Sequence, residues 1–428
     1  MSARPIAEER SAGPAGAVIS ALVGLDAVGE IPSHEEALLM GSRHARRLSI
    51  YAASAGFELV EELEHLCART IEPNLFFNPR FLAPAMPRLE EREVRLAVIR
   101  DGEGERSRLR LLLPFSVERA PVPLGVPIIR AWSSPFGPLG TPLIDRDHPE
   151  GVIFDFLDLL RRPALDLPKV LVIPDMRLDG PAAATLRAVA SARGLTMEVA
   201  SETVRPILES SLDGDAYLAG TLRSHHLREL RRLKRRLAEK GELEHVTARA
   251  RDDVRIGFET FLALEASGWK GRKRTALAVD RYLAAFAREA VDRLAERDMA
   301  RVHTLTLNGE AIACVVVFVE AGVAYTWKTA YDETYSAYSP GTLLMLEVTR
   351  QHLEDPNIEV TDSCAVPDHP VMSRLWSERR RMGTVVLGID PDADRAVRQA
   401  ASQLHLYGET RKIARSLRSR IKELLRRG

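Results

Sequence analysis

The sequence predicts an α/β protein with mixed sheets, built from two loosely repeated copies of one unit. Three observations predict it. Strands with period-two alternation are interleaved with amphipathic helices in both halves. The second half reads β-α-α-β-β-β-α-β-α-β, and the first half follows a similar order, which is the mark of an internal duplication. Between the halves lies a basic segment, Tyr217 to Lys240, in which Leu218, Leu222, Leu230, Leu233 and Leu237 recur at helical spacing.

Size and composition agree with this division. A chain of 428 residues exceeds one typical domain, and 45% hydrophobic content is enough to fill two cores. Lys+Arg and Asp+Glu are both 60, so there is no global attraction to nucleic acid or membrane, only local patches. Cys67, Cys314 and Cys364 lie far apart without a CxxC pair. That pattern argues against a zinc site or a disulfide framework and fits a reducing, cytoplasmic setting without a metal. No stretch is apolar for long enough to span a bilayer. The run Ala17–Gly29 is broken by Asp26 and lacks a cationic start, so a signal peptide is not expected. The expected organisation is a disordered tail with a short helical part over 1–50, a first unit over 51–210 and a linker helix over 211–241. A second unit over 242–392 and a basic helical segment over 393–428 follow.

In order, Val60–Thr70 reads as a helix and Asn74–Pro79 as an aromatic turn. Glu93–Arg100 and Arg108–Val117 form a hairpin across Asp101–Gly104. Ala120–Ile144 is dense in Pro and Gly and reads as an irregular strand and a long loop. Helix Gly151–Leu160, buried strand Lys169–Pro174, helix Pro181–Arg193 and strand Thr196–Ala200 close the first half. Tyr217–Lys240 reads as one long helix carrying eight Arg/Lys residues from Arg223 to Lys240 against two glutamates. This is either a solvated linker face or a contact for an anionic donor or nucleic acid.

The second half is more regular. Strand Glu242–Arg249, helix Asp252–Ser267, the loop Gly268–Thr275 and helix Asp280–Arg297 lead into strands Ala300–Leu307, Glu310–Glu320 and Val323–Ala330. Asn308-Gly309 is a two-residue hairpin signal. Ser339 then reads as a cap and Pro340 as the first residue of a helix, whose unbonded N–H groups attract an anion. Strand Ile358–Cys364, helix Pro370–Arg380 and strand Gly383–Ile389 complete the unit. The first half shows no comparable helix start after its loop Pro135–Leu143, so only the second half is expected to offer this anion-attracting feature. A P-loop, a GxSxG elbow and an HExxH pair are all absent from the sequence.

The second-half order, with Leu222–Gly241, Phe261–Thr275 and Trp327–Gly341, resembles the GNAT superfamily of N-acyltransferases. Two such units resemble the tandem, Fem-like proteins. The stretch from Leu218 to Ile389 is similar to CelD-type acetyltransferases associated with cellulose biosynthesis. The resemblance implies an acyl-CoA-dependent N- or O-acyltransferase, with acetyl-CoA or another acyl-CoA as co-substrate and a small or envelope-related acceptor. An aminoacyl-tRNA-dependent transferase of the Fem type, or a non-catalytic component of a polysaccharide system, are the competing readings.

The resemblance places the donor pyrophosphate at Ser339, Gly341 and Thr342, in a loop poorer in glycine than in small GNAT enzymes. It places the acceptor near Glu265, Trp269 and Lys270. Acyl transfer needs a base, oxyanion donors and an acid for the leaving group. Asp362 and His369 are the candidate bases. Tyr335 and Tyr338 are candidate acids, each with an ordinary reading as a half-buried loop aromatic. Lys328, which alternation puts on the face opposite Trp327, would hold a donor or substrate anion. Ile413, Leu417, Ile421 and Leu424 make an apolar stripe on a basic C-terminal helix that either docks on its own domain or meets anionic lipid or a partner. Nucleic acid is not expected as a partner.

Overall fold

The computed structural model describes residues 5–10, 46–89, 93–102, 107–122 and 125–427, with side chains up to Thr410. Most of the expected tail over 1–50 therefore lies outside the described residues. In chain order, β1 (Ala7–Arg10) pairs with β2 (Arg46–Ala52), and α1 (Val60–Cys67) and α2 (Pro79–Leu89) follow. The expected hairpin is β3 (Arg95–Asp101) with β4 (Arg108–Arg119). Next come β5 (Pro127–Ala131), β6 (Leu143–Ile144), α3 (Pro149–Leu160), β7 (Val170–Arg177), α4 (Pro181–Ala192) and β8 (Met197–Leu208). The second half opens with α5 (Gly214–Thr221), α6 (Ser224–Ala238), β9 (Leu243–Ala248), α7 (Arg251–Ser267), α8 (Trp269–Arg272) and α9 (Arg281–Ala295). It continues with β10 (Ala300–Leu307), β11 (Glu310–Glu320), β12 (Val323–Tyr331) and α10 (Pro340–Glu354). Strand β13 (Val360–Asp362), α11 (Met372–Leu375), β14 (Glu378–Gly388) and α12 (Asp394–Arg427) end the chain.

The chain forms two compact units whose membership does not follow sequence order. One holds residues 1–74, 92–203 and 381–428, and the other 75–91 and 204–380. Strand β14 was expected to finish the second unit, but from residue 381 it belongs to the first, where Met382–Gly388 pairs antiparallel with β7. Two further expectations are corrected. The basic segment is two helices, because Leu222 and Arg223 are extended, with ψ of 136° and 137°. Gly220 and Thr221 are weak helix formers, and burying Leu222 favours the break. The helix expected over Pro370–Arg380 shrinks to Met372–Leu375, because Trp376 turns into the core and its Nε1 donates to Thr349 Oγ1 at 3.0 Å.

In the first unit, β2, β3 and β4 form an antiparallel run, and β5 pairs parallel with β7. Val397 and Ala400 of α12 pack on Ile128, Val172 and Val386, so the described part of the C-terminal helix docks on its own unit. The predicted stripe Ile413–Leu424 lies outside the described side chains. Helix α3 corrects one expectation: His148 is left-handed (φ 56°) and Pro149 occupies the first helical turn, the same arrangement as Ser339-Pro340 in the second half.

The second unit orders its strands β8 (Val204–Leu208), β13, β12, β11, β10, β9. Asn308 (φ 53°) and Gly309 (φ 82°) turn the β10–β11 hairpin, as their pairing predicts. One face of the sheet carries Val315, Val317 and Val319 against leucines of α6 and α10. The other carries Phe318, Tyr325 and Trp327 against Phe286 of α9 and against Phe76 and Phe81, supplied from the first half of the sequence. These rings meet mostly edge to face at 5.0–6.1 Å, an arrangement that adds to their area burial.

Three histidines also lie in this unit. His303 stacks on His245 at 5.6 Å and meets His352 edge to face at 5.5 Å. Burial holds all three below the ordinary value near 6.5, His352 to about 3; Arg301 and neighbouring rings add to the effect on His303 and His352, and Lys234 adds to it on His245. Such groups are neutral when folded and take up protons on unfolding. Their contribution is complete above about pH 6.5 and is lost as pH falls toward 3. Urea midpoints measured from pH 8 to pH 4 should be flat above 6.5 and fall below it. In the double variant His303→Gln/His352→Gln the fall should be shallower, and an unchanged slope would contradict the assignment.

Candidate functional site

The site begins where one ladder stops. Strands β12 and β13 pair in parallel through Val323/Val360, Ala324/Thr361 and Tyr325/Asp362, and no further. Thr326 Oγ1 donates to the Ser363 carbonyl at 3.0 Å as the last link. The ladder ends there, with Trp327–Tyr331 of β12 on one side and Cys364 on the other.

A β-bulge sets what that opening presents. On the other side of β12 the register passes from Val317/Thr326 to Val316/Lys328, so Trp327 is an extra residue. Directly opposed residues share a face. Val315, Val317 and Val319 face α10, so Val316 faces the other way, and Lys328 with it. Lys328 therefore shares a face with Trp327, its Nζ 5.8 Å from the indole centre. The sequence expectation of opposite faces is corrected: strict alternation does not survive an inserted residue. Thr329 and Tyr331 move to the α10 face by the same shift, and a Cβ at Gly341 would sit 3.5 Å from the Tyr331 ring.

Turned this way, Lys328 joins Glu265 and Lys270. Lys270 Nζ donates to Glu265 Oε1 at 2.8 Å and to the Thr329 carbonyl at 3.0 Å, while Glu265 Oε2 accepts the Leu277 N–H at 2.8 Å. Part of Lys328 stays exposed but its ammonium is buried, and burial with the nearby Lys270 charge lowers it to about 8, with Glu265 and Cys364 opposing. Three of the sequence candidates thus form one cluster.

The loop holding Lys270 folds back tightly: a Cβ on Gly271 would lie 1.7 Å from the Ala266 carbonyl oxygen, so this position requires glycine. Trp269 is 42% exposed with Lys273 Nζ 4.6 Å above its ring. Its N–H donates to Glu333 Oε1 at 2.7 Å, and Arg272 pairs with the other oxygen. These two interactions hold the Glu333 carboxyl below its usual range, the Arg272 bond first. Glu333 is therefore the tie between the candidate acceptor loop and the segment leading into α10, a link that sequence spacing did not reveal.

The start of α10 offers few free amides. Ser339 is left-handed (φ 53°) and makes no side-chain cap, which corrects its reading as a cap residue. Its carbonyl accepts the N–H groups of Thr342 and Leu343 at 2.9 and 3.1 Å. Pro340 has no N–H, so only the Gly341 amide remains for an anion in the first turn. Tyr335 and Tyr338 pack against the leucine-rich face of the core. Tyr338 is also covered by Arg236 and Lys240 of the α6 region, each 5.7 Å from the ring centre. Nothing in the sequence pattern announced that contact except the basic character of the segment.

The two candidate bases differ. Asp362 is fully buried; it accepts the Cys364 N–H at 2.7 Å and faces Arg205 Nη1 at 3.4 and 3.5 Å. This bond holds Cys364 left-handed (φ 49°) at the lip of the opening. His369 lies in the exposed loop before α11, where its Nδ1 accepts the Met372 N–H at 3.3 Å and burial lowers its pKa. No contact among the described residues joins it to the Lys328 cluster.

Residues 224–365 match the family described as an acetyltransferase (GNAT) domain. No curated protein matches the chain. Among solved structures, FemX is similar in fold, with 10% identity over 78% of this chain and 96% of that one and a TM-score of 0.51. A C-terminal domain from Agrobacterium fabrum, named as belonging to a lysylphosphatidylglycerol synthetase, overlaps with a TM-score of 0.47, at 13% identity over 81% and 96% of the two chains. A tandem GNAT protein of the clavulanic acid pathway overlaps with 0.36, at 15% identity over 81% and 99%. The fold is mixed α/β and GNAT-like, and the family match supports a transferase. No helix among the described residues is long and apolar enough to cross a membrane, and none of their His, Cys, Asp and Glu groups is arranged to hold a metal.

The Arg205–Asp362 pair supports the end of β13. Arg205→Met would leave a buried carboxylate without its guanidinium and should cost about 3 kcal/mol of unfolding free energy by the general behaviour of buried pairs. A loss below about 1 kcal/mol in chemical denaturation would show that the pair does not hold this edge.

Proposed function

We propose that the second unit transfers an acyl group from an acyl-CoA to an amine or hydroxyl of a small or envelope-related acceptor. The observation that carries the reading is the opening beside the β12 bulge, with Lys328, Glu265 and Lys270 gathered on one side and the α10 start on the other. In this reading Gly341, with the turn Ser339–Thr342, receives the donor's phosphates, and the thioester enters between β12 and Cys364.

Lys328 acts as the base. With a pKa of about 8, on the order of a tenth of the molecules carry it neutral at pH 7. The acceptor nitrogen attacks the thioester carbonyl, the C–N bond forms and the C–S bond breaks. The amine proton passes to Lys328 Nζ, and the departing thiolate takes it from there. Glu265 and Lys270 orient the acceptor, and Trp269 offers it an exposed ring. Asp362 positions Cys364 and the strand end, rather than meeting substrate, since it is sealed from solvent. His369 and the two tyrosines keep structural roles in this scheme. The exposed cations of α6 favour a second reading, an aminoacyl-tRNA donor, which predicts strongly salt-dependent tRNA binding.

Titration calorimetry with acetyl-CoA and longer acyl-CoAs tests the proposal without knowledge of the acceptor. Micromolar binding is expected for the intact protein. Gly341→Asp, whose Cβ fits at 3.5 Å from Tyr331, should abolish it, because a carboxylate there repels phosphate. Failure of every acyl-CoA to bind would reject the reading.

A further inference from the structure

An amide-poor helix start leaves most of a donor's phosphate charge unanswered. One proline and two bonds to the Ser339 carbonyl remove three of the four first-turn amides of α10, as described above. Yet one residue before Ser339, the ring of Tyr338 is covered by two cations from outside the strand-helix motif. Arg236 and Lys240 stand four apart, on one side of the helix and its last turn, and both are exposed. Two of the neighbouring basic residues are paired, Arg232 with Glu229 at 2.7 Å and Lys234 with Glu347 at 2.6 Å, while Arg228, Arg231 and Arg235 are exposed on the same helix. Among the described residues Arg236 and Lys240 make no ion pair with a carboxylate, and both lie over the Tyr338 ring. Leu230, Leu233 and Leu237, all buried, fix the helix beneath them.

We propose that Arg236 and Lys240, steered by Tyr338, form the phosphate site of a CoA-type donor, replacing with side chains the main-chain cradle that α10 lacks. The inference rests on the acyl-CoA reading above. The ligand chemistry is a phosphate diester or monoester carried on a pantetheine arm. The cations neutralise it while the arm runs past Gly341 toward the β12 opening.

The test compares acetyl-CoA with acetyl-pantetheine, which lacks every phosphate, in calorimetric titration of the full chain. Arg236→Gln/Lys240→Gln removes the pair and Arg228→Gln/Arg231→Gln, exposed on the same helix, controls for net charge. For acetyl-CoA the first double variant should bind about tenfold or more weakly, the scale of two partly exposed charge-assisted contacts, and the control within about twofold. Acetyl-pantetheine should bind both alike. Equal weakening for the two ligands, or unchanged acetyl-CoA binding in the first variant, overturns the inference while leaving the acyl-CoA reading in place. Absence of acetyl-CoA binding to the unaltered protein rejects that reading itself. If the first variant loses affinity for tRNA and not for acetyl-CoA, the pair serves a nucleic acid and the inference falls.

Discussion

One inserted residue decides what this protein can present to a ligand. Without the bulge at Trp327, Lys328 would point toward α10 and the leucine core, where an ammonium has no partner and a high desolvation cost. With it, two successive side chains share a face: the indole enters a cluster with Phe81, Phe286 and Phe318, and the lysine meets Glu265 and Lys270. The same shift sends Tyr331 toward Gly341 on the other face. Both walls of the opening thus follow from one register change. The aromatic cluster that secures it draws Phe76 and Phe81 from a segment more than two hundred positions earlier, residues 75–91, which belong to the same compact unit.

The first unit carries a similar helix start in different surroundings. Its helix α3 starts with the same left-handed residue and proline as α10. There, however, Arg46 lies 3.3 Å from where a Cβ on Gly151 would be, and Arg46 is held at 2.7 Å by the buried Asp155. Glu150 in the first turn would repel an anion. Beside β7, the loop after β5 presses so closely that a Cβ on Gly140 would sit 2.2 Å from the Pro174 carbonyl oxygen, and Ser133 Oγ donates to Asp175 at 2.5 Å. The same left-handed residue and proline are thus surrounded here by a buried ion pair and a close-packed loop.

Much of the scaffold was legible because its signals are local. Asn308-Gly309, the alternation of β10 and β11 and the proline at the start of α10 each specify their own conformation within a few residues. Glu265 and Lys270 were named together only through the family resemblance, which placed both near the acceptor, and not through any local signal. What stayed hidden depends on pairing between distant segments. The period-two pattern of Val323–Tyr331 reads as regular, and only the partner strand reveals the extra residue. The burial of Asp362 depends on Arg205 from β8, and the destination of β14 depends on which unit offers a partner edge. The break at Leu222 was obscured by a leucine spacing that continues across it.

The position of Lys328 carries the account, and its ionisation reports that position directly. Competitive labelling of the protein's lysines with a trace acylating reagent across pH 6–11, read residue by residue, gives the titration of Lys328 alone. An ammonium buried beside Lys270 predicts a midpoint of about 8 and slower labelling when acetyl-CoA is present. A midpoint near the ordinary 10.5, with labelling indifferent to acetyl-CoA, would place the side chain in solvent and contradict the site described here.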